Sequence, residues 1–181
     1  MKQDAFEVAE DFGRKKAIRA IERSRKEFFK DWDGFKIVPT TEKRATWDFD
    51  MIDPENNDSI IGIIEAKDRN MASTDKRILS DGAQLERQKY DKLLRICNEK
   101  NIPCFYVCTY TDGGYYIWDI EECVGKVTFD SRMCPATTAV KADKIEKKCC
   151  YFKVEDAFAK GTLKRKRIGA DILPRLKSWG S

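Results

Sequence analysis

Thr-Trp-Asp-Phe-Asp-Met-Ile (residues 46–52), Asp-Pro-Glu-Asn-Asn-Asp (53–58) and Ser-Ile-Ile-Gly-Ile-Ile-Glu-Ala-Lys-Asp-Arg-Asn (59–70) read as a strand, a turn and a second strand. Successive strand side chains alternate between faces, so Ile61, Ile63, Glu65 and Lys67 share one face and Ile60, Gly62, Ile64 and Ala66 the other. Both faces are apolar until the charges arrive. A strand apolar on both sides is covered on both sides, which puts Glu65 and Lys67 at one end of a buried strand and not on a solvated rim.

The preceding strand supplies their neighbours. Asp48 and Asp50 alternate with Trp47, Phe49 and Met51, and so share a face that can meet Glu65 once the chain folds back through the Pro-containing turn. Carboxylates converging in a low-dielectric spot repel one another, and a bound divalent cation keeps them ionised. Hard oxygen donors suit Mg²⁺ or Mn²⁺. Lys67, on the same side of its strand as Glu65, would bring a point positive charge able to orient a water and stabilise an oxyanion.

Asp50 followed by Glu65-Ala66-Lys67 in strand context resembles the PD-(D/E)xK, or restriction-endonuclease-like, nuclease superfamily, over roughly residues 15–120. The resemblance implies that Asp50 and Glu65 hold the metal and that Lys67 assists the attacking water. The Pro that often precedes the family's Asp is replaced here, by Phe49 before Asp50 and by Trp47 before Asp48, so either Asp fits the motif. Asp50 is preferred because Met51 and Ile52 continue the buried strand. The family's habits also nominate a helix-borne Glu, Glu22 or Glu27, as a further ligand, Glu22 being preferred, with salt-bridging to nearby Arg and Lys as the ordinary alternative for each. Gln88, with Gln84 and Lys92, is nominated as a helix residue approaching the site. A second Glu-x-Lys at residues 146–148 lies among Lys, Ala and Asp with no apolar strand around it, and context sets it aside.

Composition narrows the chemistry. The chain contains no histidine, which removes Ser-His triads, histidine bases and most zinc hydrolases together. Its seven cysteines form no Cys-x-x-Cys pair and, with a polar and acidic N-terminus in place of a signal peptide, read as reduced thiols of a cytoplasmic protein. No apolar run approaches the roughly 20 residues that span a bilayer, so no membrane partner is expected. Charge is unevenly spread. Residues 14–30 hold eight basic against two acidic side chains, residues 42–75 four against nine, and residues 160–181 seven against one. An acidic centre between two basic segments suits a polyanion that must be drawn in and then meet a cation.

In chain order, a helix is expected over residues 4–31, bent near Gly13, with Ile18, Ile21, Phe28 and Trp32 on its buried side. A short strand over 34–38 leads to the central hairpin, and the polar stretch 71–76 reads as a mobile loop. A helix over 80–100, a strand over 104–110, a Thr-Asp-Gly-Gly turn and a return strand over 115–120 follow. Strand, helix and strand in that order make a crossover, so the sheet should be mixed. Residues 123–130 could extend it, 133–140 look irregular, and 149–154 read as a last strand. The expected fold is therefore α/β, a central mixed sheet of four or five strands flanked by helices, with a nuclease-like core over 1–158 and a basic extension over 159–181. The expected activity is Mg²⁺-dependent hydrolysis of DNA phosphodiester bonds, endo- or exonucleolytic, with Arg69, Lys164, Arg165, Lys166 and Arg167 contacting nucleic acid. By analogy, small size without a motor or target-recognition domain fits a phage, mobile-element or repair nuclease. A homodimer and a non-cutting nucleic-acid- or protein-binding module on the same fold stay open as alternatives.

Overall fold

The computed structural model describes residues 5–29, 34–41, 45–135 and 143–163. The first element, α1 (Ala5–Phe28), runs unbroken through Gly13. Its buried residues Ala17, Ala20, Ile21 and Ser24 fall at the spacing that gathers side chains on one helical face. Small residues dominate that face, which lets the helix lie close on the sheet; Ile18 is only partly buried beside it. The expected bend at Gly13 is absent, because the glycine serves approach: a Cβ there would stand 2.9 Å from the Cβ of Asp68. Trp32 lies outside the described residues.

Next come β1 (Lys36–Pro39), β2 (Phe49–Asp53) and β3 (Ser59–Arg69), an antiparallel meander. The β2–β3 turn is closed by Asn57 and Asp58 at φ 52° and 53°, residue types that tolerate the left-handed region. A crossover then carries the chain through α2 (Lys76–Ser80), β4 (Ala83–Glu86) and α3 (Arg87–Lys100) to β5 (Cys104–Tyr110), which pairs parallel to β3 from Ile63↔Cys104 to Arg69↔Tyr110. β6 (Gly114–Asp119) returns antiparallel to β5. The remaining strands are β7 (Thr128–Pro135), β8 (Lys144–Phe152) and β9 (Ala159–Thr162).

The central sheet is six-stranded and mixed, in the order β1-β2-β3-β5-β6-β9, and a three-stranded antiparallel sheet, β4-β8-β7, stands apart from it. The fold is α/β, with helices flanking a central mixed sheet. Alternation along β3 and β5 divides the core. Ile64, Phe105 and Val107 face α1 with Phe49 and Met51, while Ile63, Cys104, Tyr106 and Cys108 face α3 with Leu93 and Cys97. All seven residues of β5 are buried.

Several expectations change. The stretch 71–76 does lack regular structure through Asp75, and only Lys76 enters α2, which is capped by the Asp75 side chain accepting from the backbone N–H of Arg77 at 2.9 Å. The helix expected from residue 80 starts at Arg87, because Ala83–Glu86 extends to pair with β8, and Gln84 is thus a strand residue. The segment over 123–130 joins the second sheet and not the central one. Met133–Pro135, expected to be irregular, belong to β7. The central sheet gains its sixth strand from β9, which pairs with β6, so the ordered core runs past residue 158 to Leu163. Glu146–Lys148 lies on an exposed part of β8. Among the described residues no helix is long and apolar enough to cross a membrane, and all seven cysteines are unpaired.

Candidate active site

The β2–β3 pairing decides which carboxylates meet. Asp50 stands opposite Ile63 and Phe49 opposite Ile64. The backbone N–H of Asp48 donates to the Ile64 carbonyl at 2.9 Å, so Asp48 is the residue brought alongside Glu65. Its carboxylate accepts the Ala66 N–H at 2.9 Å, fixing it at the point where Glu65 leaves the strand. Asp50, 5% exposed, is turned to another partner: the Trp47 indole N–H donates to its Oδ1 at 2.6 Å. The preference for Asp50 therefore gives way to Asp48 as the carboxylate facing Glu65. The physical reason is register, since a β-pair brings directly opposed residues closest.

Glu65 is 2% exposed. One oxygen, Oε1, accepts from the Lys89 ammonium at 2.5 Å, and the other, Oε2, is buried with no hydrogen-bond partner. Burial is the largest influence on its acidity; Lys89 opposes it and the nearby Asp48 charge reinforces it, and the carboxyl is pushed up to about 8. Asp48 carries a distant ion pair with Arg14 at 3.7 Å. Among the described residues no three ligating side chains converge on one point.

The other nominated residues distribute as follows. Lys67 is exposed and makes no hydrogen bond or ion pair with a described residue. Asp68, on the opposite face of β3, is tied to α1 through Lys16 at 2.5 Å and to Thr109 at 2.7 Å. Glu22 sits on α1, across the sheet from Glu65, with its carboxylate held by Arg25 at 2.6 Å. Gln88 is exposed at the start of α3 and lines a cleft against β8 with Glu86, Ile145 and Lys147. Arg69 is folded inward onto the Gln84 carbonyl and the Tyr106 hydroxyl. Lys164, Arg165, Lys166 and Arg167 lie outside the described residues.

Lys89 is the residue that sequence reasoning missed. It precedes Leu93, a fully buried core residue, by four positions, so the two share a helix face and the ammonium is carried over the sheet. Gln88 and Lys92 each lie one position off that line. A lysine in phase with the apolar arc was the available signal.

No family model matches the chain, and no curated protein matches it. Among solved structures, a 1.6 Å structure of Hjc, a Holliday junction resolvase from the archaeal hyperthermophile Archaeoglobus fulgidus, aligns over 82% of this chain and 92% of its own at 10% identity with a TM-score of 0.39. A superposition this loose transfers neither fold nor function to this chain.

Proposed function

We propose that the chain is a divalent-metal-dependent nuclease hydrolysing DNA phosphodiester bonds, with the roles implied by its resemblance to the PD-(D/E)xK superfamily. One observation carries the reading: Glu65 keeps a buried, unpartnered carboxylate oxygen beside the carboxylate of Asp48. An unsatisfied buried acceptor costs about 1–3 kcal/mol, more if charged, and a second acid beside it adds repulsion, so a fold keeps such a pair where something binds it. Mg²⁺ is held in proteins by one or two carboxylates plus substrate phosphates and water, and Asp48 with Glu65 supplies such a donor set. When bound, the cation would neutralise the phosphate and acidify an attacking water. Asp50, braced by Trp47, supports the hairpin from the neighbouring position. Lys67 stands two residues beyond Glu65 on the same strand face, with its ammonium unengaged by any described residue, as a group that positions a nucleophile or stabilises developing charge must be.

The Lys89 contact favours a second reading, in which Glu65 and Lys89 form a structural ion pair and the fold is a non-cutting binding module. Cleavage of defined linear, nicked and branched DNAs in Mg²⁺ separates the two. The nuclease reading expects cleavage by the wild type, loss of about 10²-fold or more in Lys67→Ala, and a comparable loss in Asp48→Asn, both with unchanged melting. Cleavage undiminished in Asp48→Asn would remove the metal pair described here.

A further inference from the structure

β7 is the outer strand of the three-stranded sheet, paired with β8 along one side from Thr128↔Tyr151 to Pro135↔Lys144 and with no described strand along the other. Six of its eight residues are exposed. Met133 is 61% exposed, and Phe129 is still 50% exposed although Arg87 lies 3.9 Å from the centre of its ring. β4 supports β8 only over residues 149–152, so residues 131–135 and 144–148 stand as a two-stranded ribbon, which is marginal by itself in water. Edge strands that stay single are blunted by an internal Pro, a lysine or a bulge. β7 runs in unbroken register, carries no lysine and has Pro only as its last residue.

About Ser131 the strand is complementary to itself. Laid antiparallel on a second β7 with Ser131 facing Ser131, it opposes Asp130 to Arg132 and Phe129 to Met133, each pair occurring twice. Sulfur against an aromatic ring is a favourable contact. Centring the pair on Asp130 or on Arg132 would set like charges face to face, so the match selects one register. The open edge of β8 over residues 144–148 offers no such match, since centring it on Glu146 opposes that carboxylate to itself and Lys144 to Lys148. The Ser131 N–H donates to the carboxylate of the preceding Asp130 at 2.8 Å, a local stand-in for a ladder partner. Arg132 gives one nitrogen to Asp81 at 2.7 Å and holds its Nε 3.9 Å from Asp130 of its own strand, so its fork has N–H groups left for another carboxylate.

We propose that β7 is the seam of a two-fold homodimer, pairing antiparallel with β7 of a second copy about Ser131 and joining the two three-stranded sheets into one. The Ser131 N–H passes from Asp130 to the Ser131 carbonyl of the second copy. Asp130 is thereby freed for Arg132 across the seam, in the non-hydrogen-bonded position where facing side chains stand closest. A second copy is the occupant because the match is isologous: each residue of the seam finds its complement in the same eight-residue sequence. One strand pair is a small interface, so the dimer is weak and concentration-dependent. It goes beyond the nuclease reading, and neither depends on the other.

The test is sedimentation equilibrium of the full chain from micromolar to near-millimolar concentration. The expected result is a mass that rises from 21.0 kDa toward twice that value. Asp130→Arg and Arg132→Asp should each weaken dimerisation at least about tenfold, and an equimolar mixture of the two variants should restore it, because the mixed pair again sets opposite charges at both crossings. Met133→Glu, at an exposed position, should also weaken it at least about tenfold while leaving the melting temperature of dilute protein unchanged. Asp130→Arg and Met133→Glu carry the test if Arg132→Asp, parted from Asp81, does not fold. A monomer at every concentration would overturn the proposal, whether the edge stays bare or another segment of the chain takes it. A dimer indifferent to all the variants would overturn it too, by placing the contact on another face. Loss in both charge variants without rescue in their mixture would overturn the pairing of Asp130 with Arg132 about Ser131.

Discussion

Glu65 is asked to do two incompatible things in the metal-free protein, to be buried and to be an acid beside another acid. Its raised pKa is the outcome. The folded-state value, about 8, lies above the ordinary 4.5, so the native state binds the extra proton and loses stability as pH rises between those values. Glu65→Gln has no proton to lose. Its melting advantage over wild type should therefore grow from about pH 5 to pH 8 and level off above, in metal-free buffer by calorimetry; a constant difference would show that Glu65 is ionised throughout. Lys89 is the second lever. Its ammonium sits 2.5 Å from one oxygen of the carboxylate that would hold the cation, so Lys89→Met should raise Mn²⁺ affinity at least about tenfold once the titration is corrected for the proton released by Glu65, whose pKa rises further when Lys89 is removed. Calorimetric titration reads this directly, and unchanged affinity would leave Lys89 and Glu65 as a structural pair.

Among the elements, the hairpin β2–β3 was legible because two-residue alternation and a Pro-Glu-Asn-Asn turn both pointed the same way, and β5 because its run of β-formers has no competing period. The segment between them was not. Ala83–Glu86 sits directly before a strong helix, and only its partner β8, about 65 residues downstream in the pairing Leu85↔Cys150, makes it a strand; no local pattern carries that information. The register that selects Asp48 over Asp50 was hidden for a related reason, since alternation says which residues share a face and not which cross-strand neighbour each will meet. Gly13 marks another limit. In an isolated helix Gly13→Ala should stabilise by about 1 kcal/mol, but here the new methyl meets the Asp68 Cβ at 2.9 Å, in the tight seam between α1 and β3. Gly13→Ala is expected to destabilise the protein by about 1–3 kcal/mol in urea unfolding. A gain would mean that α1 can shift outward without cost.

At the scale of the whole molecule, a sheet covered by a helix on each face explains how an acidic pair can be buried without unfolding the chain. α1 seals one side with small residues and ties Asp68 down through Lys16. α3 covers the other side and delivers Lys89 to Glu65. Along the sequence, basic segments stand before and after an acidic centre. Replacing Lys164, Arg165, Lys166 and Arg167 with Gln should weaken DNA binding in EDTA at all sequences. It should also flatten the dependence of log affinity on log salt by roughly one unit for each phosphate that the variant no longer neutralises. An unchanged slope would assign these residues to another task.

The central claim is that Asp48 and Glu65 are kept together to hold a cation for phosphodiester hydrolysis. The most direct measurement of it is Mn²⁺ titration of wild type and Glu65→Gln at pH 7, with proton release and plasmid cleavage followed on the same samples. The account predicts that wild-type protein binds Mn²⁺, releases close to one proton per ion as the Glu65 carboxyl ionises, and cleaves; Glu65→Gln should stay folded, release no proton, bind Mn²⁺ far more weakly and leave the plasmid intact. Wild-type-like cleavage by Glu65→Gln would contradict it.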